Sequence, residues 1–129
     1  MTRKAIGSPQ QHQITEDFLI MHQTMHVGYH GAGFDSPAYK LTEIWGDCLE
    51  KITSGDKLAL IAVLAGWLSE DDESYSIPQA VEDCSLSCSE AFYLYTSFLA
   101  ERERPLTPDD ALSLIAALTA QLKGGVYAK

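Results

Sequence analysis

The chain has 129 residues, of which 46% are hydrophobic and 21% are charged, and its formal net charge is -9. This composition predicts a single globular domain over residues 1–129 that buries a core of its own, with residues 1–7 and 126–129 as loose tails. The negative charge disfavours nucleic acid and anionic membranes as partners, and it favours proteins, cations or basic segments.

Cysteine usage and the N-terminal sequence bear on the compartment. Three cysteines, Cys48, Cys84 and Cys88, are too few and too unevenly spaced for a disulfide framework, which favours a reducing compartment. The basic residues Arg3 and Lys4 are not followed by the apolar stretch of a secretory signal. The longest apolar run, LALIAVLAGWL, is shorter than the about 20 residues that span a bilayer. We therefore expect a cytoplasmic protein with no membrane partner.

The positions of Ser, Thr, Pro and Gly predict an all-α protein, a compact bundle of five or six helices. Ser or Thr before Pro, or three residues ahead of Glu or Gln, is typical of a helix start, and glycine is typical of a helix end. No segment alternates with the two-residue period of a half-buried strand. The predicted helices cover about residues 9–29, 37–53, 57–68, 77–84, 88–102 and 108–123.

The spacing of apolar residues predicts which helix faces are buried. In the second predicted helix, apolar residues recur every three or four positions from Leu41 to Ile52, before Ser54-Gly55 ends the helix. The third, which Asp56 would cap, is apolar almost throughout, so we expect it at the centre with little exposed face. The predicted core face of the last helix consists of Leu112, Ile115, Leu118 and Leu122.

Three histidines, His22, His26 and His30, lie four residues apart on the first predicted helix. Eight residues of helix rise about 12 Å and zinc lies about 2 Å from each ligand, so neighbouring histidines can share one ion and all three cannot. The strongest metal hypothesis joins His22 and His26 to Cys84 and Cys88 in a redox-sensitive zinc site. The alternatives are a pH-responsive cluster and, favoured here, the polar border of an amphipathic helix that needs no cofactor.

A segment of about residues 56–102 resembles a helix-turn-helix. It contains three predicted helices, and a three-residue break separates the second from the third, with Ser85 where glycine is usual in the turn. The residues that fall where this motif packs its helices together are Val81, Leu86, Ala91 and Leu94. The resemblance implies a DNA-binding regulator as an alternative function.

The charges of the same segment oppose DNA binding. Residues 58–101 contain no Lys or Arg, and they contain eight carboxylates. Proteins that bind duplex DNA usually neutralise several phosphates with basic side chains. We therefore do not expect nucleic acid as a partner.

Two surfaces are candidates for binding another protein or a second copy of the chain. The fifth predicted helix is apolar on more than one side and contains residue types that anchor interfaces, although burial within the domain would also explain them. The candidates on this helix are Phe92, Tyr93, Tyr95 and Leu99. The second surface is an acidic loop suited to a basic partner, formed by Glu70, Asp71, Asp72 and Glu73.

The sequence gives little support to an enzyme. No nucleophile lies beside a base, and carboxylate pairs in first helical turns favour the helix dipole without any chemistry. We therefore expect a small acidic regulatory or adaptor protein that is not an enzyme, acts through protein–protein binding and self-associates. The alternatives are a divergent helix-turn-helix regulator, a His/Cys metal-binding or redox-sensing domain, and an acidic nucleic-acid mimic or inhibitor.

Overall fold

The computed structural model describes residues 24–85, 89–100 and 105–129. Within these ranges the chain forms five α-helices, one short 3-10 helix and no strand, which confirms the predicted helical bundle. The 3-10 helix is Val27–His30, and the α-helices are α1 (Pro37–Trp45), α2 (Ser54–Ser69), α3 (Ile77–Cys84), α4 (Glu90–Ala100) and α5 (Pro108–Lys123). Most of the first predicted helix and the predicted N-terminal tail lie outside the described residues.

Side-chain caps begin all five α-helices. The oxygens that accept a hydrogen bond from a first-turn amide belong to Ser36 in α1, Thr53 in α2, Ser76 in α3, Ser89 in α4 and Thr107 in α5. At Ser76 the cap is reciprocal, because the Gln79 side chain accepts from the Ser76 amide. Each such cap stabilises its helix by about 1 kcal/mol. The predicted starts at Ser36, Ser76 and Thr107 are confirmed. Thr53 and not Asp56 caps α2, and α4 begins at Glu90 after Ser89 and not at Cys88, which lies outside the described residues together with the predicted start at Pro9.

Helix α1 ends earlier than the sequence predicts. Gly46 has a φ of 100° and Leu49 a φ of 50°, so the chain turns where a longer helix would continue. Cys48, Leu49 and Ile52 are nevertheless buried, and they reach the core from this turn. Ser54-Gly55, which we expected to end a helix, instead begins α2. The apolar spacing therefore predicted the burial of Leu41, Cys48, Leu49 and Ile52 correctly, whereas Ile44 is 50% exposed and the backbone conformation was predicted wrongly.

The first predicted helix does not continue through His26 and His30, and His22 lies outside the described residues. His26 adopts an extended conformation, with φ -70° and ψ 140°, and caps the 3-10 helix that follows. Its Nδ1 accepts a hydrogen bond of 2.9 Å from the Gly28 amide. His26 and His30 therefore lie on either side of a turn and not one above the other on a helix.

The helices form a ring around one core. Helix α2 packs between α3 and α5, α4 packs between α3 and α1, and the 3-10 helix contacts both α1 and α5. The core includes Leu41, Leu49, Ile52, Leu60, Val63, Leu64, Phe92, Tyr95, Leu99, Leu114, Ala117 and Leu118. The sheet-free bundle is thus closed by contacts between its first and last described elements.

Three of the four residues predicted to form a partner surface on α4 belong to this core. Phe92, Tyr95 and Leu99 are buried, and the Tyr95 ring packs edge-on against Trp45, with 4.8 Å between ring centroids. Their burial corrects the expectation that they contact a partner. Tyr93, the fourth residue, points outward and is 52% exposed.

The apolar pattern also assigns the wrong face of α5 and too little exposure to α2. On α5 the buried side chains include Ala111, Leu114, Ala117, Leu118 and Gln121. Of the predicted leucine stripe only Leu118 is buried, and Leu112 is 57% exposed. On α2, Leu58 is 57% exposed, and Ala62 and Ala65 are exposed as well. Both helices therefore carry an apolar stripe on the outside.

Lys57, in the first turn of α2, is the largest fully buried side chain among the described residues. Its Nζ donates hydrogen bonds to the Val126 carbonyl (2.7 Å), the Gln121 Oε1 (2.8 Å) and the Cys48 carbonyl (3.2 Å). Gln121 is fully buried too, and its Nε2 donates to the Met25 carbonyl at 2.7 Å. An ammonium group has three N–H donors, so these three oxygens satisfy it completely.

The C-terminal residues, which we expected to form a loose tail, are bonded to the rest of the fold. The Val126 amide donates to the Gln121 carbonyl and the Ala128 amide to the Ile52 carbonyl, each at 2.9 Å. Thr53 and Ala128 form a single parallel bridge. Because the Val126 carbonyl also accepts from Lys57, the segment is held from two sides.

Burial lowers the pKa of Lys57 to about 8, against the opposing influence of Cys48 and Glu50. An unfolded lysine has a pKa near about 10.4, so the unfolded chain binds more protons than the folded chain between these two values. Lys57 therefore raises the free energy of unfolding as the pH rises through this window, by up to about 1.4 kcal/mol per pH unit.

We predict that Lys57→Met lowers the free energy of unfolding near pH 7 by about 1–3 kcal/mol, because it leaves three oxygens without their donor. We also predict that the difference between wild type and variant widens between about pH 8 and about pH 10, since methionine has no proton to lose. Denaturant unfolding at several pH values measures both quantities. The comparison cancels tyrosine and cysteine titrations that the two proteins share. A gap that stays constant or narrows would contradict the prediction.

Candidate docking groove

A groove with a volume of about 530 Å³ lies between the α2–α3 loop and the segment that leads into α5. Its size is within the range of ligand-binding clefts, about 300–1,000 Å³. The lining residues are Trp67, Leu68, Glu70, Asp71, Asp72, Glu73, Tyr75, Pro105, Leu106 and Pro108. All four acidic residues of the predicted partner-binding loop are therefore brought to one concave surface, which we call the docking groove.

The loop that forms one wall of the docking groove is closed by its own hydrogen bonds. Trp67, in the last turn of α2, donates from Nε1 to the Tyr75 carbonyl at 3.1 Å. The Asp72 Oδ1 accepts from the amide and the hydroxyl of Ser74, at 2.9 and 2.8 Å. These two bonds from Ser74 lower the pKa of the Asp72 carboxyl, so its negative charge is favoured.

Tyr75 fastens the loop to α3. Its phenol donates a hydrogen bond of 2.5 Å to the Asp83 Oδ2, and this bond raises the pKa of Tyr75 to about 12. One residue later, the reciprocal cap of Ser76 and Gln79 begins α3. The loop is therefore held at its start by Trp67 and at its end by Tyr75.

The docking groove has an apolar floor and an acidic rim. Leu106 is buried, and Trp67 and Leu68 are partly buried at the end of α2. Pro105 and Pro108 are exposed on the opposite wall. The four carboxylates of residues 70–73 are exposed around them. This arrangement suits a chain that combines an apolar side chain with a cation, and the face of a tryptophan also attracts guanidinium and ammonium groups.

The described chain offers these carboxylates no basic neighbour in sequence. No Lys or Arg occurs in the described ranges 58–85, 89–100 and 105–122. Lys57 lies at the opposite end of α2, where its ammonium group is committed to three oxygens. Among the described residues that line the docking groove, the rim therefore presents negative charge and no basic side chain, whereas Arg102 and Arg104, which precede Pro105 in sequence, lie outside the described residues.

The predicted zinc site is only partly within the described structure, since His22 and Cys88 lie outside it. His26 stacks at an angle against Tyr39, with 5.6 Å between ring centroids, whereas the Cys84 Sγ donates weakly to the Ala62 carbonyl at 3.8 Å. The two described members of the set thus have different neighbours. No group of three His, Cys, Asp or Glu side chains in the described part could hold a metal ion.

The helix-turn-helix resemblance corresponds to α2, α3 and α4, which contact one another. Ser85 adopts the left-handed conformation (φ 54°, ψ 38°) that such a turn needs, and Val81 is buried as expected. Leu94, expected in the packing between helices, is 63% exposed, because the core side of α4 is formed by other residues. The exposed residues of α4 include Glu90 and Tyr93 and no basic side chain.

The acidic half of the docking groove could be found from sequence, and the apolar half could not. Four consecutive carboxylates after a tryptophan-containing apolar run mark the rim directly. Leu106 comes from a distant part of the chain, and only the two prolines that flank it mark that segment as rigid.

No protein-family model, no curated protein and no solved structure matches the chain. None of the helices in the described ranges combines the length and the apolar character required to cross a bilayer. The function is therefore inferred from the docking groove and the surrounding surface.

We predict that Asp83→Asn lowers the pKa of Tyr75 from about 12 towards about 10, because a neutral amide no longer favours the protonated phenol. Nuclear magnetic resonance of the chain with 13C-labelled tyrosine resolves the six phenols separately. Glu82→Gln removes a neighbouring carboxylate that does not bond to Tyr75, and it serves as the control. An unchanged Tyr75 titration in Asp83→Asn would show that the loop is not fastened in this way.

Proposed function

We propose that this chain is a small acidic adaptor or regulatory protein, not an enzyme, and that it holds a basic segment of a protein partner in the docking groove. The observation that supports the proposal is the combination of four exposed carboxylates with an apolar floor in one groove. Neither feature alone would suggest a ligand, because exposed acidic loops are common and a small apolar surface is ordinary.

The acidic rim and the apolar floor contribute differently to the free energy of binding. Exposed ion pairs contribute about 0–1 kcal/mol each and weaken with salt, so the rim mainly steers a basic partner and selects for it. Burying one large apolar side chain contributes about 1.5–3 kcal/mol, so the floor provides most of the affinity. We therefore expect the bound segment to carry at least one large apolar residue next to Lys or Arg.

The same contacts favour an adaptor over the alternative functions. A nucleic-acid mimic would bind the phosphate-binding site of another protein through its carboxylates alone. The docking groove also has an apolar floor, which suits a peptide with an apolar side chain better. The redox alternative pairs Cys84 with Cys88, but Cys88 lies outside the described residues and the Cys84 Sγ donates to the Ala62 carbonyl. The third thiol, Cys48, is buried, and burial, with Glu50 and Asp47, raises its pKa, whereas a redox sensor needs an accessible thiolate. The lowered pKa of Lys57 offers no catalytic base, because Lys57 does not line the groove.

The proposal includes a reducing, cytoplasmic setting. Cys48 and Cys84 form no disulfide, and Cys48 is buried in the turn after α1. Oxidation of Cys48 would enlarge a buried side chain beside the Lys57 ammonium group, which disfavours an oxidising compartment for this fold.

A selection from a random peptide library displayed on phage tests the proposal without a known partner. We predict that the selected peptides combine Lys or Arg with Leu, Phe or Trp, and that synthetic copies bind with micromolar dissociation constants. Neutralising residues 70–73 to the corresponding amides should weaken this binding by at least about tenfold, and added salt should weaken binding to the wild type.

The matched control neutralises four exposed carboxylates elsewhere, at Glu43, Asp47, Glu82 and Glu90, so that the net charge changes equally. We predict that this control retains most of the affinity. Selected peptides without basic residues, or an equal loss in both variants, would overturn the proposal. In the second case the chain would attract cations through its overall charge and not through the docking groove.

A further inference from the structure

Helix α2 is apolar around its whole circumference. Its inner side is formed by residues such as Leu60 and Leu64, which are buried in the core. Its outer side carries Leu58, Ala62 and Ala65, which are exposed. A helix that is apolar on all sides is normally buried on all sides. Among residues 24–85, 89–100 and 105–129, nothing therefore buries the outer stripe of α2 as its composition requires.

Helix α5 has a second apolar stripe of the same kind. Its inner side includes Leu114 and Leu118, whereas Leu112 is exposed and Ile115 and Leu122 are partly exposed. These three residues belong to the stripe that the sequence pattern assigned to the core. The sequence thus contains enough apolar residues on α5 for two buried faces, and the described fold buries one of them.

The two outer stripes lie side by side. Helices α2 and α5 pack directly against each other and turn their buried side chains towards the same core. They run in opposite directions, because Lys57 near the start of α2 bonds to Gln121 near the end of α5. No Asp, Glu, Lys or Arg occurs from Leu58 to Ser69 or from Ala111 to Leu122. Together the stripes form an uncharged surface, which we call the α2–α5 face.

We propose that the α2–α5 face binds the same face of a second copy of this chain. Two copies that each carry a net charge of -9 repel one another, so they can associate closely only through a surface without carboxylates. The α2–α5 face meets this condition from Leu58 to Ser69 on α2 and from Ala111 to Leu122 on α5. A basic partner would instead be drawn to the acidic parts of the molecule, which the α2–α5 face does not include.

The dimensions of the face agree with a reversible dimer. Sixteen residues of helix extend about 24 Å, and two helices packed about 10 Å apart present a width of about 20 Å. Each copy would therefore contribute about 500 Å², and the pair about 1,000 Å², which is near the lower limit for a specific interface. The exposed alanines allow the two helix pairs to approach closely, and the leucines supply apolar contact area.

Sedimentation velocity between about 5 and about 200 µM tests this interface. A dimer of the 14.2 kDa chain is expected, with a dissociation constant in the micromolar range. Because salt screens the repulsion between two acidic chains, the dimer should become tighter in 0.5 M NaCl than in 0.05 M NaCl. Binding of basic peptides in the docking groove should respond to salt in the opposite direction.

Ala62→Arg should weaken the dimer at least tenfold, because it places an unpaired charge on the outer stripe of α2. Ala100→Arg on α4 is the matched control, since Ala100 is also exposed on a helix and the net charge changes by the same amount. Both changes reduce the negative charge, so greater repulsion between copies cannot explain a selective loss. Leu112→Arg provides a second variant on α5, and circular dichroism verifies that each variant is folded.

A monomer at all concentrations and both salt conditions would overturn the proposal. So would a dimer that Ala62→Arg and Leu112→Arg leave intact, or one that Ala100→Arg weakens equally. Peptide binding distinguishes this failure from failure of the proposed function. The Ala62→Arg variant should bind basic peptides normally, and the variant with residues 70–73 neutralised should still form the dimer.

Discussion

One buried ammonium group joins the parts of the chain that are farthest apart in sequence. Lys57 connects the start of α2 to the end of α5, to the turn after α1 and to the C-terminal segment. Gln121 extends the connection to the chain before the 3-10 helix through the Met25 carbonyl. A cation in the first turn of a helix is disfavoured by the helix dipole, and burial disfavours it further. The three oxygens are therefore a requirement of the fold and not an addition to it.

This arrangement also determines where the docking groove lies. The bonds from Lys57 hold the end of α5 against the start of α2, and the antiparallel packing then places the start of α5 near the end of α2. Pro105 and Leu106 lead into α5, and Trp67 ends α2, so the two walls of the groove meet there. A polar contact at one end of the helix pair thus sets the geometry of the apolar and acidic site at the other end.

Features encoded locally were predictable from the sequence, and features that depend on distant contacts were not. The caps at Ser36, Ser76 and Thr107 need only a hydroxyl and the next few residues, so they could be located. The end of α1 depends on positive φ at Gly46 and Leu49, which apolar spacing does not reveal. At Gly46 the Glu50 side chain occupies the place of a Cβ, and Glu50 accepts a bond from the Cys48 amide.

The inner face of α5 was assigned wrongly for a related reason. Helix α5 has two apolar stripes, and either could face the core. The sequence pattern assigned the core to the stripe with the larger side chains, which includes Leu112, Ile115 and Leu122. The stripe that is buried includes Gln121, which lies there because Lys57 needs its oxygen. Small residues such as Ala111 and Ala117 also let α5 approach its neighbours closely. Neither the hydrogen bond of Gln121 nor the close approach at the alanines can be predicted until it is known that α5 packs against α2.

The distribution of charge gives the molecule two different surfaces along α2. The loop after α2 concentrates carboxylates around an apolar floor, whereas residues 58–69 of α2 and 111–122 of α5 carry no charge. The first surface suits a basic segment and the second suits another uncharged surface. A dimer formed through the α2–α5 face would hold two docking grooves at a fixed separation, and a partner with two basic segments would then bind with higher avidity.

Nuclear magnetic resonance of the Lys57 ammonium group tests the central claim most directly. In a chain labelled with 15N and 13C and studied near pH 6, the account predicts one slowly exchanging lysine ammonium signal. This signal should show correlations through hydrogen bonds to the carbonyl carbons of Cys48 and Val126. A Lys57 ammonium group that exchanges with water as rapidly as the exposed lysines, without these correlations, would contradict the account.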